Sequence, residues 1–198
     1  MLLTLAACAT TPIPVFAQED PAADFRAAHE QFAAGHPREA ANTLIRSTLY
    51  IRQQVGRSRD EVVGMQLLNA ESDLEKLAAS MRDGRSSSLK AVDGELIRID
   101  RLLAHHHVQM AIGAIGKRGE EPGAIARDIT RGAFHFERTF TIDGRAPATE
   151  IAALLTDVRT LAREIESTKL VPRTAVATLT VFERQVAGTT AVAIGLHQ

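Results

Sequence analysis

The chain has 198 residues, 45% of them apolar, which is enough for one domain with its own core and too few to make two domains the default. With 23 basic and 24 acidic residues the net charge is −1, so no overall field draws in nucleic acid or an anionic membrane surface, and neither is expected as a partner. A single cysteine, Cys8, excludes an intramolecular disulfide and a cysteine-based zinc site, and an aromatic share of 4% leaves Ala, Leu, Ile and Val to build the core, a composition that favours helix.

Residues 1–17 are uncharged, interrupted by Pro12 and Pro14, and too short to span a bilayer. Val15-Phe16-Ala17 offers small or compact residues before a cleavage point, and the polar Gln18-Glu19-Asp20 follows. The segment reads as a secretory signal peptide, 1–17, lacking its positively charged opening, whose start is then expected upstream of Met1. The mature chain, 18–198, is expected to be one helical-bundle domain, periplasmic or secreted. In the alternative, Leu5-Ala6-Ala7-Cys8 acts as a lipobox and Cys8 carries a lipid anchor. The plain alternative to both is an apolar N-terminal helix of a cytosolic protein.

The first predicted helix covers 20–34, with Phe25, His29 and Phe32 on one face. Gly35-His36-Pro37 interrupts it, and Pro37 opens a second helix to about Val55 with Ala41, Leu44, Thr48, Ile51 and Val55 as its stripe. The pair resembles half of a tetratricopeptide unit, but no period of about 34 residues repeats it, so no solenoid is expected. Ser58-Arg59-Asp60-Glu61 reads as a capping box starting a third helix, with Val62, Met65, Leu68, Leu74 and Leu77 apolar and a stop at Asp83-Gly84. Ser86-Ser87-Ser88 caps the longest helix, which runs to about Ile115 with Val92, Leu96, Ile99, Leu103, His106 and Met110 as a bundle seam. A fifth helix spans 122–140, a sixth 147–168, and a last one opens at Pro172 and runs to about Ala193 with Val176, Leu179, Phe182 and Val186 inward. Short connections between these amphipathic segments predict an all-α, antiparallel bundle of six to seven helices with no transmembrane span.

Chemistry has to come from the histidines. Three consecutive ones, His105, His106 and His107, stand in the longest helix, and each is rotated by about 100° from the next, so they cannot all ligate one ion. A metal site would pair His106 or His107 with His135 on the fifth helix, near Glu137, or with His29 on the first. Neutral imidazoles beside Glu or Met suit zinc, copper, nickel or haem iron. The competing reading makes His106 and His135 hydrogen-bonded interior residues, His105 a partly solvated one, and Met65, Met81 and Met110 core filler. Paired Glu-x-x-His motifs, Cys-x-x-Cys-His, His-Glu-x-x-His, Gly-x-Ser-x-Gly and phosphate loops are all missing, and Glu71 and Glu75 read as solvated helix carboxylates. No catalytic residues are therefore assigned and no enzyme is expected.

Phe32-Ala33-Ala34-Gly35-His36-Pro37-Arg38-Glu39-Ala40-Ala41, Leu103-Ala104-His105-His106-His107 and Gly132-Ala133-Phe134-His135-Phe136-Glu137 are three short patches through which the chain resembles small exported bacterial helical-bundle proteins of the YfdX-like kind. That resemblance implies an envelope or stress-related binding role and supplies no catalytic residues. The expected function is an exported, non-enzymatic bundle that binds a transition metal or small ligand through His106 or His107 with His135. The alternative is a structural or adaptor module that uses a helix face to hold a protein partner. The cofactor stays unassigned.

Overall fold

The computed structural model describes residues 20–85, 88–117 and 119–193. The signal-peptide reading, the lipobox at Cys8 and the first two serines of the Ser86–Ser88 run lie outside the described residues. Seven helices follow one another: α1 (Ala22–Ala33), α2 (Pro37–Arg57), α3 (Glu61–Arg82), α4 (Leu89–Ala114), α5 (Pro122–Ile142), α6 (Thr149–Thr168) and α7 (Ala175–Ala193). Each packs on the next across a short turn, the arrangement of an antiparallel bundle. Two long-range pairings, α1 with α4 and α4 with α7, close it around α4. Among the described residues no helix is long and apolar enough to cross a membrane.

Local chemistry sets the helix ends. Pro37 and Pro122 occupy first-turn positions, where the missing N–H costs nothing and the fixed φ suits a helix. The Ser88 side chain accepts from the N–H of Ala91 and caps α4. The start of α3 departs from the expected capping box. Asp60 is the cap, accepting from the N–H groups of Val62 and Val63, a bond set worth about 1 kcal/mol. Ser58 instead ends α2, and its hydroxyl donates to the Asp60 carbonyl. Gly144 takes φ 68° after α5, and Lys169 takes φ 56° after α6, each in the left-handed conformation that stops a helix.

Two apolar clusters make the core. The first joins α1, α2, α3 and the N-terminal half of α4 through Phe25, Leu44, Ile51, Leu67, Leu74 and Leu96. The second joins the C-terminal half of α4 with α5, α6 and α7, where Phe136 meets Phe140 and Phe182 edge to face at 5.3 and 5.5 Å. The buried stripe of α3 is Val63, Leu67, Ala70, Leu74, Ala78 and Met81, so the expected inward Val62, Met65 and Leu68 are exposed instead. On α7 the inward residue is Ala175 and Val176 is exposed. Both corrections share a cause. Alanines at the interface let helices approach closely, and a face drawn through the large side chains alone is rotated by one residue. Met81 is core, while Met65 faces solvent. Glu71 is buried and paired with Arg52, which replaces the solvated carboxylate expected there.

Candidate functional site

Helices α4 and α5 pack tightly at Gly132. A Cβ there would stand 2.9 Å from Val108 Cγ2 and 3.3 Å from the Ala104 carbonyl oxygen, so any larger residue would force α4 or the Val108 side chain to shift. Asp128, Gly132 and His135 are spaced i, i+4, i+7 and share the face of α5 that meets α4. On α4, Asp100, Ala104 and His107 have the same spacing. Because the helices run antiparallel, the aspartate of each meets the histidine of the other. His107 Nδ1 lies 2.9 Å from Asp128 Oδ1, and His135 Nδ1 lies 2.8 Å from Asp100 Oδ1. The two imidazoles stack at the centre of this cross, 5.9 Å apart and 2° from parallel.

The outer ring nitrogens find different partners. Tyr50 of α2 reaches His107 Nε2 at 2.9 Å. Asp128 is held as a carboxylate, which only accepts, so His107 Nδ1 carries the proton and Nε2 accepts from the Tyr50 hydroxyl. Burial drives His107 down to about 4, and the Asp128 hydrogen bond only partly resists, so the ring is neutral near pH 7. Asp128 would be raised by burial, but the His107 bond and the Arg57 guanidinium, 3.3 Å away, hold it below its ordinary value. Burial pushes the Tyr50 hydroxyl well above its ordinary range.

His135 Nε2 faces the Asp20 carboxylate at 3.4 Å, an ion-pair contact without hydrogen-bond geometry. Burial pulls His135 down, yet the Asp100 hydrogen bond and the Asp20 carboxylate outweigh it and raise the ring to about 9. It is an imidazolium near neutral pH. Asp20 is raised by burial but lowered more by His135, ending at about 2. Arg138 completes this half: its Nε donates to Asp100 Oδ2 at 3.1 Å, a further nitrogen donates to the Ala22 carbonyl, and its guanidinium lies 5.7 Å from the Phe25 ring centroid. Every charge in the cross has an opposite partner, the condition under which charged groups tolerate burial.

The structure thus brings His106, His107 and His135 together, and it commits two of them. Both nitrogens of His107 are bonded, and His135 holds two carboxylates. His29 pairs with Asp93 at 2.6 Å, Glu137 with Arg159, and half-buried His105 approaches Glu183 at 3.5 Å. Among the described residues no group of three or more His, Cys, Asp or Glu is arranged to hold a metal ion. His106 differs from its neighbours. Its ring is 1% exposed, burial first and then His107 and Arg57 lower it to about 3, and its Nε2 has no hydrogen-bond partner among the described residues. It stands 5.2 Å from His107 and lines a cleft of about 290 Å³ between α4, the start of α3 and α7. Ser58, Arg59, Asp60, Gln109, Met110, Lys117 and Glu183 supply the rest of its polar and soft groups.

Sequence reasoning found the histidines and missed Asp20, Tyr50, Asp100, Asp128 and Arg138. A signal for the two aspartates was present: Asp-x-x-x-small-x-x-His occurs at 100–107 and again at 128–135. Nothing in the sequence ties Tyr50 or Asp20 to it. No family model matches the chain, and no curated protein or solved structure shows significant similarity to it.

Proposed function

We propose that this is an exported, non-catalytic binding protein of the YfdX-like kind, which holds a small polar ligand in the cleft beside His106. The carrying observation is the buried, unpartnered Nε2 of a neutral imidazole at the wall of an open cleft. Buried polar atoms are paired in native proteins with few exceptions, and an orphan beside accessible space is where a ligand or ordered water completes the set. A binding role also fits the remaining chemistry. The Tyr50 hydroxyl, positioned on the His107–Asp128 pair, is buried and pushed away from ionisation, which suits a structural hydrogen-bond donor and not a nucleophile.

Native mass spectrometry of the purified protein tests this. A low-mass adduct is expected on the wild type and lost in His106→Leu, with the fold checked by circular dichroism. Titration with zinc, copper(II) and nickel(II) runs alongside. Stoichiometric metal binding abolished by the same substitution would replace the small ligand by a metal held through His106. Neither adduct nor metal would overturn the reading, and the exposed row Val62, Met65 and Leu68 on α3 would then be the surface of an adaptor module.

A further inference from the structure

On the far side of the histidine cross, where α1 begins, α1 and α5 border a second cleft of about 460 Å³. Asp20, Ala22, Ala23, Arg26, Arg131 and Phe134 line it. Asp20 is spent on His135. Arg26 and Arg131 make no ion pair or hydrogen bond among the described residues, and Arg131 acts on Asp128 only through its charge at longer range. Phe134 leaves its ring 37% exposed at the same wall, 5.9 Å from the His135 ring.

We propose that this cleft binds a small organic carboxylate with a planar apolar body, the carboxylate on Arg26 and Arg131 and the body on Phe134. Guanidinium forks match a carboxylate in geometry as well as charge. The exposed ring and the methyl groups of Ala22 and Ala23 give the apolar part its surface. Asp20 selects the charge: a carboxylate at the same wall repels a dianion more than a monoanion, which disfavours phosphate. This site is separate from the His106 cleft, and its failure leaves the proposed function standing.

Benzoate is the probe, titrated into the full mature chain by isothermal calorimetry and by NMR, with acetate and inorganic phosphate in parallel. Saturable binding of benzoate is expected with Kd at or below about 1 mM. Arg131→Gln and Arg26→Gln should each weaken it about tenfold, and Phe134→Ala should weaken benzoate while leaving acetate unchanged. Arg131→Lys separates fork from charge: it should recover only part of the loss. Circular dichroism and thermal unfolding confirm that each variant is folded. No saturable benzoate binding, binding that survives the double substitution of both arginines, or phosphate binding as tightly as benzoate would each overturn the proposal.

Discussion

His107 and His135 occupy equivalent places in the α4–α5 cross, stack on each other, and bond to equivalent aspartates, yet one is neutral and the other charged near neutral pH. The inner partner cannot explain this, because it is an aspartate in both halves. The outer partner differs. Tyr50 offers His107 an O–H to accept from, which requires an unprotonated Nε2. Asp20 offers His135 a second negative charge, which favours a protonated one. Burial depresses both rings, and a single outer residue decides whether that depression prevails.

The largest effect is expected where the charged half loses its anion. Asp100 is fully buried and serves both His135 and Arg138. Asp100→Asn leaves two buried cations with Asp20 alone, and unfolding free energy should fall by about 3–5 kcal/mol. Urea unfolding followed by circular dichroism measures it. A loss under about 1 kcal/mol would mean the charged half is dispensable to the fold.

Stability against pH separates the two halves without mutation. The His135 pKa is raised from 6.5 to about 9, so its stabilisation is complete below about 6.5 and is lost as pH rises through 9. The His107 and His106 pKa values are depressed from 6.5 to about 4 and about 3, so their contribution is complete above about 6.5 and is lost as pH falls toward 4 and below. Arg57, Arg131, Asp128, Asp100, Asp20, Arg138 and Tyr50 face these rings from α2, α4, α5 and the segment before α1. The urea midpoint should therefore peak near pH 6.5 and decline on both sides. A midpoint that rises continuously from pH 6.5 to pH 9 would contradict the charged state of His135.

Changing the outer partners one at a time sharpens the contrast. Asp20→Asn removes one of the two carboxylates that hold the imidazolium, so the His135 pKa should drop from about 9 toward its ordinary 6.5, visible in its ring resonances by NMR titration. The alkaline decline in stability should then begin at lower pH. Tyr50→Phe acts on the neutral half. It leaves His107 Nε2 buried and unsatisfied, which should cost about 1–3 kcal/mol with little change in the His135 titration. If both variants moved His135 equally, the two halves would be one coupled unit and the outer partners would not act separately.

Helix content, element order and most turn positions were legible because they depend on local signals: proline at first turns, glycine after last ones, and apolar spacing. The exact faces of α3 and α7 were not. There Ala70, Ala78 and Ala175 mark the contact, and alanine carries too little apolar weight to reveal a face by itself. The site was half legible. His106, His107 and His135 stand out by type, and the matched Asp100 and Asp128 share their register on α4 and α5. Tyr50 and Asp20 come from 57 residues before His107 and from the far end of the chain before α1, so only the assembled bundle places them. The charge of each histidine depends on those two residues, which is why sequence could propose metal ligands where the fold makes hydrogen-bonded pairs.

The smallest effect is expected at His106, and its sign carries the information. An imidazole nitrogen that is buried without a partner costs free energy in the ligand-free protein, whereas a leucine of similar volume has nothing to satisfy. His106→Leu should therefore leave the unfolding free energy of the ligand-free protein within about 1 kcal/mol of wild type, or raise it. His107→Leu, one position along the same helix, strands the Tyr50 hydroxyl and the Asp128 carboxylate and should lower it by several times that amount. Thermal unfolding of the two variants side by side decides the matter. A His106→Leu loss as large as that of His107→Leu would show that His106 belongs to the supporting network, and the cleft beside it would lose the one feature that marks it as a binding site.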